Sequence, residues 1–229
     1  MRFKTVLVIA LFAFLCFPTT QSYAGSFTDN FNDGNADGWW IAPNALGDYG
    51  DWRVENGALV QHSRGDHYKA LVDNLPIADQ VIGVEVATLG YGGVVLWFQN
   101  EGRWISVVTY PAWDGIAVLE VIDGVGTLVP YAYPTNAKFG YTLRVDADST
   151  TGQLAVYLDD SYKFTYYAST QYRSGLSGVF SGNEVGYFDN FRLTSDDIPN
   201  HPVPEPATML LLASGLVGLA GLRKKLTRS

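Results

Sequence analysis

YTLRVDADSTTGQLAVYLDDSYKFTYY, residues 141–167, decides the fold. Leu143 and Val145 alternate with Thr142, Arg144 and Asp146. After the turn signal DSTTG, Leu154, Val156 and Leu158 alternate with Ala155, Tyr157 and Asp159. A period of two places apolar side chains on one face and polar ones on the other, as in an antiparallel sheet half exposed to water. Asp159-Asp160-Ser161 then turns the chain into YKFTYY.

The same pattern extends outward in both directions. Between Ser26 and Thr194 no amphipathic helix is legible, and short runs alternate with turn signals instead. DWRVENGALVQHS reads as a hairpin with Asn56-Gly57 in a type I′ turn. QVIGVEVATL, GVVLWFQ, RWISVVTY, IAVLEVI and TLVPYAY follow as strands, punctuated by Asn100-Glu101-Gly102 and Asp123-Gly124. GLSGVFSG and GYFDNFRLT close the series. Aromatic residues make up 14% of the chain, with Tyr the most frequent, which favours strands. About a dozen short strands without helices predict an all-β fold, a two-sheet antiparallel sandwich.

At 229 residues the chain has room for one domain with segments at its ends. Residues 1–24 read as a signal peptide: Arg2 and Lys4, an apolar run, then Ser22 and Ala24 before the cleavage point. The only cysteine, Cys16, lies inside it, so the exported domain expected at 25–195 holds no disulfide. Residues 196–206 are a Pro-rich linker, and 207–222 are sixteen uncharged residues suited to a membrane helix. In a helix those residues reach about 24 Å, against a hydrocarbon core of about 30 Å, so the span is short. The basic tail at 223–229 belongs in the cytoplasm by the positive-inside rule.

Charge is distributed unevenly. Setting aside the terminal segments, the body carries nine basic and 22 acidic residues, a net of −13. Such a surface repels nucleic acid and anionic membranes and suits neutral ligands or cations.

FTDNFNDGNADGWW, DWRVENGALVQ, LRVDADSTTGQLAVYLDD and GYFDNFRLT together resemble the concanavalin A-like, laminin-G-like jelly roll over about 170 residues. That resemblance implies a fold shared by lectins, polysaccharide-binding modules, adhesive domains and some glycosidases. VPEPATMLLLASGLVGLAGLRKK is similar to the PEP-CTERM sorting signal of exopolysaccharide-producing Gram-negative bacteria. Its parts are Pro204-Glu205-Pro206, a glycine-bearing apolar run, and Arg223, Lys224 and Lys225. The resemblance implies an exosortase as processing partner, an inner-membrane intermediate, and a product at the cell surface or in the extracellular matrix.

Candidate chemistry follows from residue types. Asp33, Asn35, Asp37 and Gly38 match the first half of a calcium loop, but Asn44 stands where that loop needs Glu. The jelly-roll resemblance implies one structural calcium, with Asp29 and Asp189 as further ligands; turn formation alone explains the same residues. Sugar platforms would come from Trp39, Trp40, Tyr91, Trp97, Trp104, Tyr110, Trp113, Tyr131 and Tyr133, with Trp97 expected in the core. Tyr110 and Trp113 flank the loop YPAWDG, and with Tyr131 they are the expected glycan contacts. Glu85 and Glu120 are isolated strand carboxylates, and no E-x-D-x-E pattern occurs. His62 and His67 have no nucleophile elbow nearby, and the RGD at 64–66 is a three-residue match. The expected function is polysaccharide binding without cleavage in the envelope or matrix. The alternatives are a glycoside hydrolase or lyase acting on exopolysaccharide, and an adhesion protein that binds protein.

Overall fold

The computed structural model describes residues 25–65, 67–88, 90–110, 115–131, 140–169 and 173–198, with the side chain of Tyr110 excepted. The expected signal peptide, apolar tail, sorting signal, Trp113 and Tyr133 lie outside these residues.

Fifteen strands form the described residues' regular structure. They are β1 (Gly25–Asp29), β2 (Trp39–Ala42), β3 (Trp52–Glu55), β4 (Ala58–Gln61), β5 (Tyr68–Val72), β6 (Gln80–Thr88), β7 (Tyr91–Asn100) and β8 (Arg103–Tyr110). Then follow β9 (Gly115–Ile122), β10 (Val125–Tyr131), β11 (Tyr141–Asp148), β12 (Gln153–Leu158), β13 (Ser161–Tyr167), β14 (Leu176–Gly182) and β15 (Gly186–Ser195). Sheet A runs β13-β12-β11-β6-β15-β4-β3, with β1 also paired to β15. Sheet B runs β10-β9-β8-β7-β14-β5-β2. Every pairing is antiparallel, so the expected two-sheet sandwich is what the chain forms. Strands β2 and β5 were not expected.

Local chemistry sets the hairpins. Asn56 and Gly57 take φ 53° and 75°, and Asp123 and Gly124 take 50° and 81°. Asp159 and Asp160 take 49° and 57°. Two successive positive φ values make a type I′ turn, whose twist matches that of the flanking strands. Between β11 and β12 the longer DSTTG turn sets the register, with Gly152 at φ 77° donating its N–H to the Asp148 carbonyl at 2.8 Å, so that Leu143 lies opposite Leu158, Val145 opposite Val156, and Ala147 opposite Leu154. The inward set joins Val84, Val86, Leu96, Val107, Val118 and Phe188 in the core between the sheets. Burying each Leu or Val contributes roughly 1.5–3 kcal/mol.

Two bulges re-aim aromatic side chains. The β7–β8 register slips between Leu96 and Asn100, with Trp97 at φ 52°. Trp97 therefore turns into the main core, 1% exposed, and donates its indole N–H to the Ala78 carbonyl at 2.8 Å. Phe98 points to the opposite side of sheet B. In β15 a slip between Asp189 and Arg192, with Asn190 at φ 48°, brings both Phe188 and Phe191 into the core. An extra residue in one strand reverses alternation in this way.

Candidate functional site

With both inner faces spent on the core, each sheet has one outer face left. On sheet A that face is polar. Arg144 lies 3.9 Å from the Tyr157 ring centre and 3.3 Å from the Asp146 carboxylate. Burial pushes the Asp146 carboxyl above the usual carboxylate range, against the pull of Arg144.

Sheet B differs. Its outer face carries a second apolar cluster of Leu71, Val95, Phe98, Trp104, Val108 and Phe180, among others. Tyr91 and Leu119 pack against it, and Trp40 sits edge-on to Phe98 with ring centres 6.0 Å apart.

A cleft of about 290 Å³ opens in this face. The register explains it. Phe180 lies beside Gly93, Gly93 beside Val108, and Tyr91 beside Gly182. Two positions that would carry outward side chains are glycine, so a hollow forms between larger neighbours. Gly93 cannot be otherwise, because a Cβ there would meet the Val107 carbonyl oxygen at 2.1 Å. Val108, Leu119 and Leu128 line one side, from β8 to β10. Tyr91, Phe180, His67 and Asn183 line the other.

His67 and Asn183 are the polar groups brought in by loops, and both adopt left-handed backbone at φ 67° and 68°. The Asn183 N–H donates to the Gly65 carbonyl at 2.7 Å, tying the two loops together. Left-handed backbone outside hairpin turns clusters at functional sites. The His67 ring packs on Trp104 and Phe180, with centres 5.5 Å and 5.7 Å away.

Beneath this aromatic wall lies a buried ion pair. Lys69, 0% exposed, donates from Nζ to Glu101 at 2.9 Å and to the His67 carbonyl at 2.8 Å. Its ammonium sits 4.8 Å from the Trp104 ring centre. Burial pushes Lys69 below its ordinary pKa and Glu101 above its own, while their contact opposes both shifts. The pair stitches the β7–β8 hairpin to β5, and its ammonium packs over the Trp104 and Phe98 rings.

The other expected site residues are dispersed. Tyr110 ends β8, and Trp113 lies outside the described residues. Tyr131 stacks on Phe164 at 3.8 Å and packs against the main core. Its ring thus faces the sandwich interior, because Tyr131 is in register with the core residue Ile116. Asp29 accepts from the Phe31 N–H and the Trp39 indole, both at 2.8 Å. Asp33 accepts from the Asn35 N–H, and Asn35 from the Asp37 N–H, forming successive Asx turns. Asp29 and Asp33 share a shallow hollow with Asn190 and Arg192, and Asp189 does not line it. Among the described residues no three Asp, Glu, His or Cys side chains converge as metal ligands.

Glu120 and Glu85 are on different sheets. Glu120 accepts from the Tyr166 and Ser169 hydroxyls at 2.8 Å and 2.9 Å. Glu85 is exposed on sheet A, in register with Asp189. Sequence reasoning missed Lys69, Glu101, Phe180 and Asn183. No sequence signal marks them, because the burial that makes Lys69 need a partner belongs to β5 as folded and is not visible in the five residues YKALV.

Residues 202–225 match the PEP-CTERM protein-sorting motif. The motif implies export, exosortase processing and sorting to the cell surface in Gram-negative bacteria. No curated protein sequence matches the chain. Among solved structures, the carbohydrate-binding module CBM66 from Bacillus subtilis is similar at 16% identity and TM-score 0.60, covering 70% of this chain and 98% of that one. Bacillus licheniformis β-glucanase is similar at 12% and 0.52, covering 75% and 98%. The GlcNAcα1-4Gal releasing endo-β-galactosidase from Clostridium perfringens is similar at 14% and 0.53, covering 76% and 63%. At these identities the likeness shows a shared jelly-roll fold.

Proposed function

We propose that the protein is an envelope or extracellular-matrix component that binds a neutral polysaccharide on the outer face of sheet B and does not cleave it. The observation that carries this reading is the aromatic cleft on a face that the sandwich has no need to make apolar. Aromatic rings against a sugar's apolar face, with a few polar groups beside them, are how proteins hold carbohydrates. A body charge of −13 supports a neutral ligand. The solved structures of like fold include a carbohydrate-binding module and enzymes named for acting on glycans, which supports a carbohydrate role.

Binding of the full-length protein, in mild detergent, to a glycan array tests the proposal. Gly182→Leu is the control, since a Cβ at Gly182 meets its neighbours at 3.6–3.7 Å, ordinary contact distances. The substitution should fill the cleft and abolish binding while the fold survives. Unchanged binding by Gly182→Leu would place the site elsewhere. Intact mass of the surface-exposed product should show loss of the tail near Glu205.

The hydrolase alternative has one foothold, the Glu85 and Asp189 neighbours on sheet A. Cross-strand neighbours approach the roughly 5 Å separation of a retaining pair. They lie on the sheet opposite the cleft, and release of reducing ends lost in Glu85→Gln would establish that alternative. Calcium enters in limited form, with Asp29 and Asp33 as the candidate carboxylate ligands in the hollow they share, since oxygen ligands suit that ion.

A further inference from the structure

The two sides of the sheet B cleft are chemically unlike, and that asymmetry narrows the ligand. Val108, Leu119 and Leu128 present aliphatic carbon without a single polar side chain between them. Leu128 is 38% exposed on the edge strand β10, where an exposed leucine gains nothing for folding. Across from it stand the Phe180 and Tyr91 rings with His67 and Asn183. A volume of about 290 Å³ is at the small end of ligand sites, which run from about 300 to 1,000 Å³. It admits about one sugar ring with its substituents.

A sugar bearing only hydroxyls fits half of this site. Its apolar face would stack on the rings, and its hydroxyls could reach His67, Tyr91 or Asn183. Its remaining hydroxyls would be pressed against aliphatic carbon and lose water without gaining partners, which is unfavourable. A methyl group in that position is favourable instead, since buried aliphatic carbon releases water at no polar cost.

Resting on the carbohydrate reading above, we propose that the cleft selects a sugar carrying a methyl group, as an acetamido, O-acetyl or 6-deoxy substituent. The sugar ring stacks on the half-buried Tyr91 ring, with the buried Phe180 beneath the cleft floor, Asn183 and His67 bind its polar edge, and the methyl group seats against Leu119 and Leu128. Net negative charge on the body adds a second filter, because it disfavours carboxylated and sulfated glycans of the same shape.

Titration calorimetry of the full-length protein tests this against matched oligosaccharides. One arm compares β1,4-linked N-acetylglucosamine tetramer with cellotetraose and with the N-deacetylated tetramer, which differ only at C2. A second arm compares rhamnose- and fucose-containing oligosaccharides with mannose and galactose analogues, which carry a hydroxyl on C6. In at least one arm the methyl-bearing member should bind about tenfold more tightly, equivalent to about 1.4 kcal/mol. Leu128→Asn, a surface change, should bring that ratio close to one and leave the melting temperature in place. In saturation-transfer NMR the ligand's methyl protons should receive the strongest signal. Equal binding of methyl-bearing and hydroxyl-only members in both arms overturns the inference and leaves polysaccharide binding intact. Tighter binding of the deacetylated, cationic tetramer also overturns it, in favour of charge attraction. Failure to bind any neutral glycan here or on the array overturns the carbohydrate reading itself, and this inference with it.

Discussion

The outer faces of sheets A and B start from the same local rule and end differently. On sheet A, Arg144, Asp146, Tyr157 and Glu85 alternate cleanly with core residues, and the face is solvated. On sheet B the outward positions of β5, β7, β8, β9 and β14 are mostly apolar or glycine, with Lys69 and Ser106 among the exceptions. Antiparallel sheets usually leave one face to water; here Leu71, Val95, Phe98, Trp104, Val108 and Phe180 are each no more than 4% exposed, and solvent reaches this face at Tyr91, Leu119 and Leu128, around the cleft. The polar groups on sheet B are few and held in place: Lys69 is tied to Glu101, and His67 and Asn183 sit in left-handed turns. On sheet A the ion pairs are surface pairs, with Arg144 side chains 35% and Asp160 88% exposed.

Cutting an ion pair on each face should break this comparison most sharply. Lys69→Ala strands Glu101 beside buried rings, and loss of about 3 kcal/mol is expected in urea unfolding. Arg144→Ala on sheet A should cost about 1 kcal/mol or less. Replacing both partners, Lys69→Met with Glu101→Leu, should restore most of the loss. A Lys69→Ala protein as stable as Arg144→Ala would mean the two faces are energetically alike.

Alkaline pH probes the core behind sheet B. The Tyr141 hydroxyl bonds to Thr109, which donates to the Gly92 carbonyl at 3.0 Å. Burial pushes the Tyr141 phenol from 10.0 up to about 12, opposed by the Thr109 bond and helped by Asp159. Its folded value is raised, so its contribution is complete below pH 10 and is lost as pH rises towards 12. Up to about 2–3 kcal/mol is expected to disappear in that window. Tyr141→Phe should flatten the alkaline limb of the stability profile, and a limb unaltered in that variant would assign it to other groups.

Ligand binding should separate the faces by a smaller amount. Tyr91→Leu removes the half-buried ring of the cleft, and glycan affinity should fall by about 0.5–1.5 kcal/mol. Tyr157→Ala on sheet A should leave affinity unchanged; a loss there equal to that of Tyr91→Leu would give sheet A a share of the site. Chelation is an effect of similar size. Calcium in the Asp29–Asp33 hollow at ten times its dissociation constant adds about 1.4 kcal/mol. EDTA should then lower the melting temperature by a few degrees, and Asp33→Ala should remove that response. A temperature indifferent to EDTA leaves the Asx turns as the whole role of these residues.

Much of the fold was legible because its determinants are local. Residues 141–167 predict strands, turns and facing directions from alternation and Asx chemistry; the β11–β12 register follows them residue for residue, while β12–β13 slips once, between Val156 and Tyr157. Strands β2 and β5 escaped because WWIA and YKALV are too short to establish a period. Trp97 was expected in the core, yet alternation alone would put it on the same side as Val95; the bulge decides that Phe98 goes outward in its place. Tyr131 was expected to meet a ligand, but pairing with Ile116 turns it onto Phe164.

The candidate site was hardly legible at all. Its walls come from β7 to β10, from β14, and from the turns at His67 and Asn183, segments more than 100 residues apart in the chain. The sequence alone determined that the chain makes an antiparallel β-sandwich with an acidic body and carries a sorting signal. Period, turn residues, charge and short motifs are properties of neighbours along the chain. Only the tertiary structure decided which aromatic residues meet, and that Gly93 and Gly182 open a cleft between them. Those outcomes depend on β14 inserting between β7 and β5, and strand order is set by long-range packing that no local window contains.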